Sequence, residues 1–307
     1  MGTSRVTQQL LNTRVLNNLT QQQRAILRLQ EQLATGRRVN RPSDDPLAAR
    51  RALAAQNEIA KNEQYVSNIT TARPGLIETE TAMRTVVDAL QRANELTLQG
   101  ASSTNSQVQR DQIASEINQV LESMLSQANH ITNDRFIFGG TRTGSEPFVA
   151  TRAGNGEISS VDYVGDNEAI QLEISDGVRV DVNETGQRVF GQTIPGTEDI
   201  FQVLIDTRDN LRAGDLNALQ ERLGEIDRAQ DQVLVAVARV GAVQNRMDKT
   251  EENLYTISVQ LEQVISENVE ADLATVIVEL NAQTNAFQAS LNAGARVIQP
   301  SLLDFVR

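Results

Sequence analysis

Residues 15–46 read VLNNLTQQQRAILRLQEQLATGRRVNRPSDDP, and the fold follows from this stretch. Val15, Leu19, Gln22, Ile26, Leu29 and Leu33 follow one another at alternating spacings of 4 and 3. That is the seam of a coiled coil, with Gln22 as its one polar member. Leu11 extends the apolar stripe toward the N-terminus. Gly36 comes directly after the seam, where a glycine takes the left-handed backbone that ends a helix. A break then spans Arg37 to Pro46. Asp45 before Pro46 supplies an N-cap acceptor and a proline for the first helical position, so a new helix starts there.

Working outward, that helix is predicted to run to about Thr71, where Ala72-Arg73-Pro74-Gly75 interrupts it. Helices follow over roughly 76–99 and 106–134, the latter with Ile113, Ile117, Val120, Met124, Ala128 and Ile131 on one face. From Phe136 to about Ile194 the texture changes to glycines and short alternating runs: Ile158–Val164, Ile170–Ile174 and Val178–Val182. Ser175-Asp176-Gly177 is a hairpin turn signal. Phe136, Phe138, Phe148, Tyr163 and Phe190 gather in this stretch, which reads as a β-rich insertion with its own core. Helix returns near 199–213, and a single helix is predicted from Asp215 to near Gln299, ended by Pro300. It carries one seam of Leu254, Ile257, Leu261 and Val264, and a second of Leu273, Val276, Leu280, Phe287 and Leu291. The step from Val264 to Leu273 breaks the heptad phase as a stutter would.

The expected fold is mainly α with a small β-rich inserted domain. Long N- and C-terminal helices (1–45 with 255–307) pair as a coiled-coil-like rod, 46–135 with 199–254 form a helical bundle, and 136–198 form an outward β module. Ten aromatics in 307 residues suit thin aliphatic helical layers better than a wide globular core.

The net charge of −12 argues against nucleic acid as the main partner. Its distribution is more informative. Residues 1–42 hold seven arginines and one acid, Glu31, whereas 251–295 hold seven acids and no base. The two ends are therefore expected to meet, basic against acidic. The longest apolar run, Val233 to Ala238, falls far short of the roughly 20 residues that span a bilayer. No apolar h-region stands in the first thirty residues, so no membrane role and no cleavable export signal are expected.

There is no cysteine, which removes thiol nucleophiles and disulfides, and His130 is the only histidine. With Asp134 as its one acidic neighbour at helical spacing, His130 reads as a structural or surface residue. The glycines match neither a dinucleotide nor a P-loop spacing. No catalytic constellation, metal site or cofactor is expected, and the chain reads as a non-enzyme.

Leu29-x-x-x-Leu33-Ala34-Thr35-Gly36-Arg37-Arg38-Val39, followed by Asp44-Asp45, resembles the N-terminal signature of the flagellin superfamily. Val240-Gly241-Ala242-Val243-Gln244-Asn245-Arg246-Met247 is similar to its C-terminal signature, followed by Asn253-Leu254 and an acidic helix. The prolines flanking the aspartate pair (Pro42 and Pro46), the run Arg135–Thr141 leading to Pro147-Phe148, and Ser301-Leu302-Leu303-Asp304-Phe305 resemble the hook–filament junction group of that superfamily. The resemblance implies an exported structural subunit of the extracellular flagellum. Its implied partners are neighbouring copies of itself, the proximal junction protein (hook-associated protein 1), flagellin and a cytoplasmic export chaperone. A short filament-forming flagellin shares every end motif and stays open as the alternative. The terminal seams would be the assembly interface, disordered in the monomer and ordered on assembly.

Overall fold

The computed structural model describes residues 3–191 and 196–298, except for the side chains of 3–9, 11–12 and 296–298. Along these residues run α1 (Thr3–Thr35), α2 (Pro46–Gly100), α3 (Gln107–Ala128), β1 (Ile131–Thr132), β2 (Arg135–Phe136), β3 (Phe148–Arg152) and β4 (Ile158–Tyr163). Then follow β5 (Gln171–Ser175), β6 (Val178–Asp181), α4 (Gly186–Phe190), α5 (Ile200–Ala213), α6 (Leu216–Val269) and α7 (Leu273–Ile298). The expected helix stop at Pro300, the terminal motif Ser301–Phe305 and the side chain of Leu11 lie outside the described residues. The chain divides into two compact units, Met1–Lys61 with Thr256–Arg307, and Asn62–Tyr255.

In the second unit, α2 passes through Pro74 without a break, contrary to the interruption expected at 72–75. Proline removes one backbone donor and disfavours a helix interior by about 3 kcal/mol. Side chains on both sides of the proline offset that cost. Ile69 and Leu76 are fully buried, with Ala72 packed between them at helical spacing. Arg73 donates to Asp248 at 3.0 Å and to Glu251, both on α6. The same α2 face continues through Met83, Val86, Leu90 and Ala93, all buried.

Ser106 and Gln109 form a capping box at the start of α3. The helix stops at Ala128, short of the expected 134. Asn129 ends it by turning its side chain to Phe148, whose N–H it accepts at 2.9 Å and whose carbonyl it donates to at 2.7 Å. Asn133 and Asp134, both at positive φ, then close a two-residue turn between β1 and β2. Ile131, expected on the buried helix face, is exposed. His130 consequently has no acid at helical spacing. Its Nε2 lies 3.6 Å from Glu78 instead.

The strands form three separate antiparallel hairpins, β1–β2, β3–β4 and β5–β6. The turn expected at Ser175–Gly177 joins the last pair, with Gly177 at φ +67°. The hairpins have no core of their own, which corrects the expectation. Phe148 lies 4.9 Å from Phe190 and 5.4 Å from Phe201 of α5, between ring centroids. Phe190 and Phe201 stack at 5.3 Å. These rings belong to one buried cluster with Ile117, Leu121 and Met124 of α3 and Ile226 and Val233 of α6. Aromatics concentrated in the insertion serve as the mortar between hairpins and helices, because a two-stranded hairpin buries too little alone. Arg208 of α5 is buried there too, donating to the Ile158 carbonyl at 2.7 Å and to Asn118 at 3.1 Å.

Candidate assembly interface

The first unit is built around the break after α1. Gly36 takes φ +68° and its N–H donates to the Gln32 carbonyl at 2.8 Å, which ends α1 as expected. Asp44 Oδ2 accepts the N–H groups of Asn40 at 3.2 Å and Arg41 at 2.9 Å, fixing the turn. Asp45 Oδ1 accepts from Leu47 at 3.2 Å and Ala48 at 3.0 Å, the N-cap of α2. The backbone N–H of Ala48 and, secondarily, Arg38 hold the Asp45 carboxyl below the usual aspartate range.

The helix predicted to be continuous from 215 to near 299 breaks in this unit. It divides at Glu270–Asp272 into α6 and α7. Asp272 starts α7 by accepting the N–H of Ala274 at 3.0 Å and the Thr275 hydroxyl at 2.8 Å, which holds its carboxyl low as well. The residues freed at the break bond to the other chain break. Arg38 N–H and Val39 N–H donate to the Val269 carbonyl at 2.7 and 3.3 Å, and Ala271 N–H donates to Gly36 at 2.9 Å. Arg38 Nη2 adds a bond to the Asn268 carbonyl at 2.6 Å. Beneath this clasp Val39, Ala48, Ala52 and Val269 form a small buried cluster. What reads in sequence as a phase shift is a second corner, matched to the first.

Beyond the clasp α1 and α7 pair antiparallel. Gln22 Nε2 donates to Ser290 Oγ at 3.1 Å, and a Cβ on Gly294 would stand 3.1 Å from Val15 Cγ1. Between the helices lies a groove of about 490 Å³, lined by Val15, Leu19, Gln22, Ala25, Gln283, Ser290 and Gly294. On α1 the predicted seam faces α7: Val15, Leu19, Gln22, Ile26 and Leu29 are half-buried, and Leu33 is largely exposed. On α7 the facing stripe is Val276, Leu280, Gln283, Phe287, Ser290 and Gly294. Val276, Leu280 and Phe287 belong to the seam expected from the sequence, but Leu273 and Leu291 point away and are exposed.

The other half of the stripe, Gln283, Ser290 and Gly294, is not legible as apolar spacing because it is polar or small. The stripe's unbroken 4-3-4-3-4 spacing from Val276 was the available signal. The end of α6 behaves alike. Leu254 is buried and Leu261 half-buried, whereas Ile257 and Val264 are exposed. Ser258 and Ile265 stand in the places given to them. The remaining motif residues lie on α6 in the second unit: Gly241 half-buried, Asn245 and Arg246 exposed.

The expected meeting of basic and acidic ends does not occur between these two helices. Among the described residues no ion pair joins α1 to α7. Arg38 pairs with Asp45 at 3.3 Å and Arg41 with Glu31 at 3.6 Å, both beside the break. The acids and bases point to the outer faces, because the seam is occupied by apolar, amide and small side chains. Val276 is the one α7 residue in the stripe with a fully buried apolar side chain. Leu16 and Leu27 on α1 and Ile277 and Val278 on α7 stay exposed. Among the described residues no group of three or more His, Cys, Asp or Glu is placed to hold a metal ion, and no helix is long and apolar enough to cross a membrane.

Two family models match the chain. Residues 6–143 match the bacterial flagellin N-terminal helical region, and 223–306 the bacterial flagellin C-terminal helical region. Flagellar hook-associated protein 3 of Salmonella typhimurium is 27% identical over 187 residues, 61% of this chain and 56% of that relative. The chain thus spans just over half the length of the curated relative it matches. A putative flagellar hook-associated protein from Vibrio parahaemolyticus superposes with a TM-score of 0.63 at 22% identity, over 74% of this chain and 100% of that one. Bacillus cereus FlgL gives 0.57 at 25%, over 69% and 99%. With the N-terminal region reaching from α1 through the first hairpin and the C-terminal region covering α6 and α7, the chain belongs to the bacterial flagellin family.

Proposed function

We propose that this chain is a structural subunit of the bacterial flagellum, exported to the cell exterior, where it forms the junction between hook and filament and templates flagellin polymerisation. It carries no catalytic activity of its own in this reading. The supporting observation is the likeness to hook-associated protein 3 together with a terminal helix pair whose apolar faces one chain leaves half-covered. Residues 1–45 and 255–307 order fully only when neighbouring subunits supply the missing burial, since a pair this polar buries too little to offset its ordering cost. Residues 46–135 and 199–254 act as the stable helical body, and 136–198 as the inserted β segment. The partners are copies of itself, hook-associated protein 1, flagellin and an export chaperone that covers the C-terminal helix. The family models describe flagellin itself, which supports a short filament-forming flagellin as a second reading.

Seeded growth on purified hook–basal structures bearing the proximal junction protein separates the two. A junction subunit adds a short layer, stops, and is then required for flagellin to extend. Long filaments grown from this chain alone would establish the flagellin reading instead.

A further inference from the structure

The charge asymmetry of the sequence is left unused by the contacts within one chain. Arg24 and Arg28 of α1 form no ion pair among the described residues and flank Leu27, which is 57% exposed. With Glu31, Asp44 and the already paired Arg38 and Arg41 they line one shallow cleft of about 350 Å³, in which Arg24 and Arg28 are the charges left over. Val259 and Glu262 are exposed on the last turns of α6, and Glu270, exposed as well, follows directly on its last residue, its N–H still bonded to the Ser266 carbonyl at 3.0 Å. Val259 is 47% exposed. Neither glutamate is in an ion pair among the described residues, Glu270 merely accepting the Ser266 hydroxyl at 2.5 Å. No lysine or arginine occurs from 251 to 295, and Arg37, opposite Glu270 across the clasp, forms no ion pair with it among the described residues. Each stripe thus carries an exposed aliphatic side chain beside two like charges, and the charges are opposite.

We infer that the Arg24–Leu27–Arg28 stripe of one copy docks on the Val259–Glu262–Glu270 stripe of the next copy. The inference rests on the assembly reading above and adds the occupant and the polarity of the contact. Two different patches meet, so the interface is heterologous: it repeats head to tail and does not close as a twofold dimer. Opposite charge steers the incoming subunit into one orientation, and like charge rejects the reversed one. The apolar pair at the centre then holds it. Because both stripes are solvent-exposed, the attraction is screened by salt, over about 10 Å at 0.1 M ionic strength.

The test is sedimentation velocity on the full chain, with helix content followed by circular dichroism. The variants are R24E/R28E, E262K/E270K, their equimolar mixture, and the chain carrying all four changes. Wild type is expected to self-associate at about 50 mM salt and to lose roughly tenfold in apparent affinity at about 500 mM. Each paired variant should lose at least about tenfold at the lower salt, and the mixture should recover it. Paired variants that associate like wild type overturn the inference. Recovery in the fourfold chain but not in the mixture also overturns it, because that places the contact within one chain. A wild type that stays monomeric at low salt does the same. The hook-seeding result is read separately: seeding without any effect of the charge swaps removes this contact and leaves the junction reading. Rescued swaps without seeding do the reverse.

Discussion

Gln22 and Ser290 meet inside the α1/α7 seam, 3.1 Å apart, as the polar pair between Val15 and Ile26 on one helix and Phe287 and Gly294 on the other. The other side-chain atom of Gln22, Oε1, is buried without a partner. Gln22 is the one polar member of its own stripe, so it gives up stability and favours the register in which its amide meets Ser290.

Replacing Gln22 by leucine should therefore stabilise the pair by about 1–2 kcal/mol while loosening its alignment. Hydrogen exchange on α1 would show slower opening. Spin labels at Leu16 and Leu291, both exposed, would show a broader distance distribution than in the parent chain. A narrow, unchanged distribution would show that register is set elsewhere.

Two carboxylates respond to acid in opposite senses. Asp45 is held low by its Ala48 cap, so its stabilising contribution is full above the ordinary aspartate value of 3.8. The contribution drains away as the pH falls from there through the lowered folded-state value. Glu184 is pushed up by burial, a push that Arg239 only partly opposes. The cost of ionising it is present above its raised value and is relieved as the pH falls through that value toward the ordinary 4.5. Acid titration should thus first favour the second unit slightly and only later release the corner at Asp45. Glu184→Gln should abolish the early phase alone, and Asp45→Ala should lower helix stability at neutral pH and remove the later phase.

Arg208 ties three elements together through Asn118, the Ile158 carbonyl and Asp209. Arg208→Ala strands the first two without a donor in a buried site and should destabilise the second unit by about 3 kcal/mol, read by urea denaturation. A loss under about 1 kcal/mol would mean that water replaces the guanidinium there.

Gly241 sits inside α6, and a Cβ built on it meets nothing within 4 Å. Gly241→Ala should raise thermal stability by about 1 kcal/mol, because the chain's own packing does not require glycine there. If the same substitution impairs addition to hooks, a neighbouring subunit approaches that backbone closely.

Local signals in the sequence carried the corner at Gly36–Pro46, the α1 seam, the hairpin at Asp176-Gly177 and the flagellin motifs. Each rests on a residue whose backbone preference or hydrogen-bonding atom acts within a few positions. The misreadings share one cause, distant packing. Pro74 stays helical because Leu76 and Arg73 are held by partners far along the chain. Phe148 ends up against Phe201 although the texture placed it in a separate module. Half of the α7 stripe escapes notice because Gln283, Ser290 and Gly294 are visible as seam residues only by their period. The corner at Glu270 looked like a stutter because its partners, Gly36 to Val39, are read only when the two ends are brought together.

That clasp also orders events in time. Arg38 and Asn268 stand 230 positions apart and Gln22 and Ser290 stand 268 apart, so the bonds joining the two ends close very long loops. Such closures are slow compared with the neighbouring helices of the second unit. A chain emerging from its N-terminus can settle α3 and the hairpins early, but α1 finds α7 only after nearly the whole sequence has appeared. Readiness to join a growing structure therefore comes last in the life of each subunit, and a chain cut short before α7 lacks the helix that α1 needs.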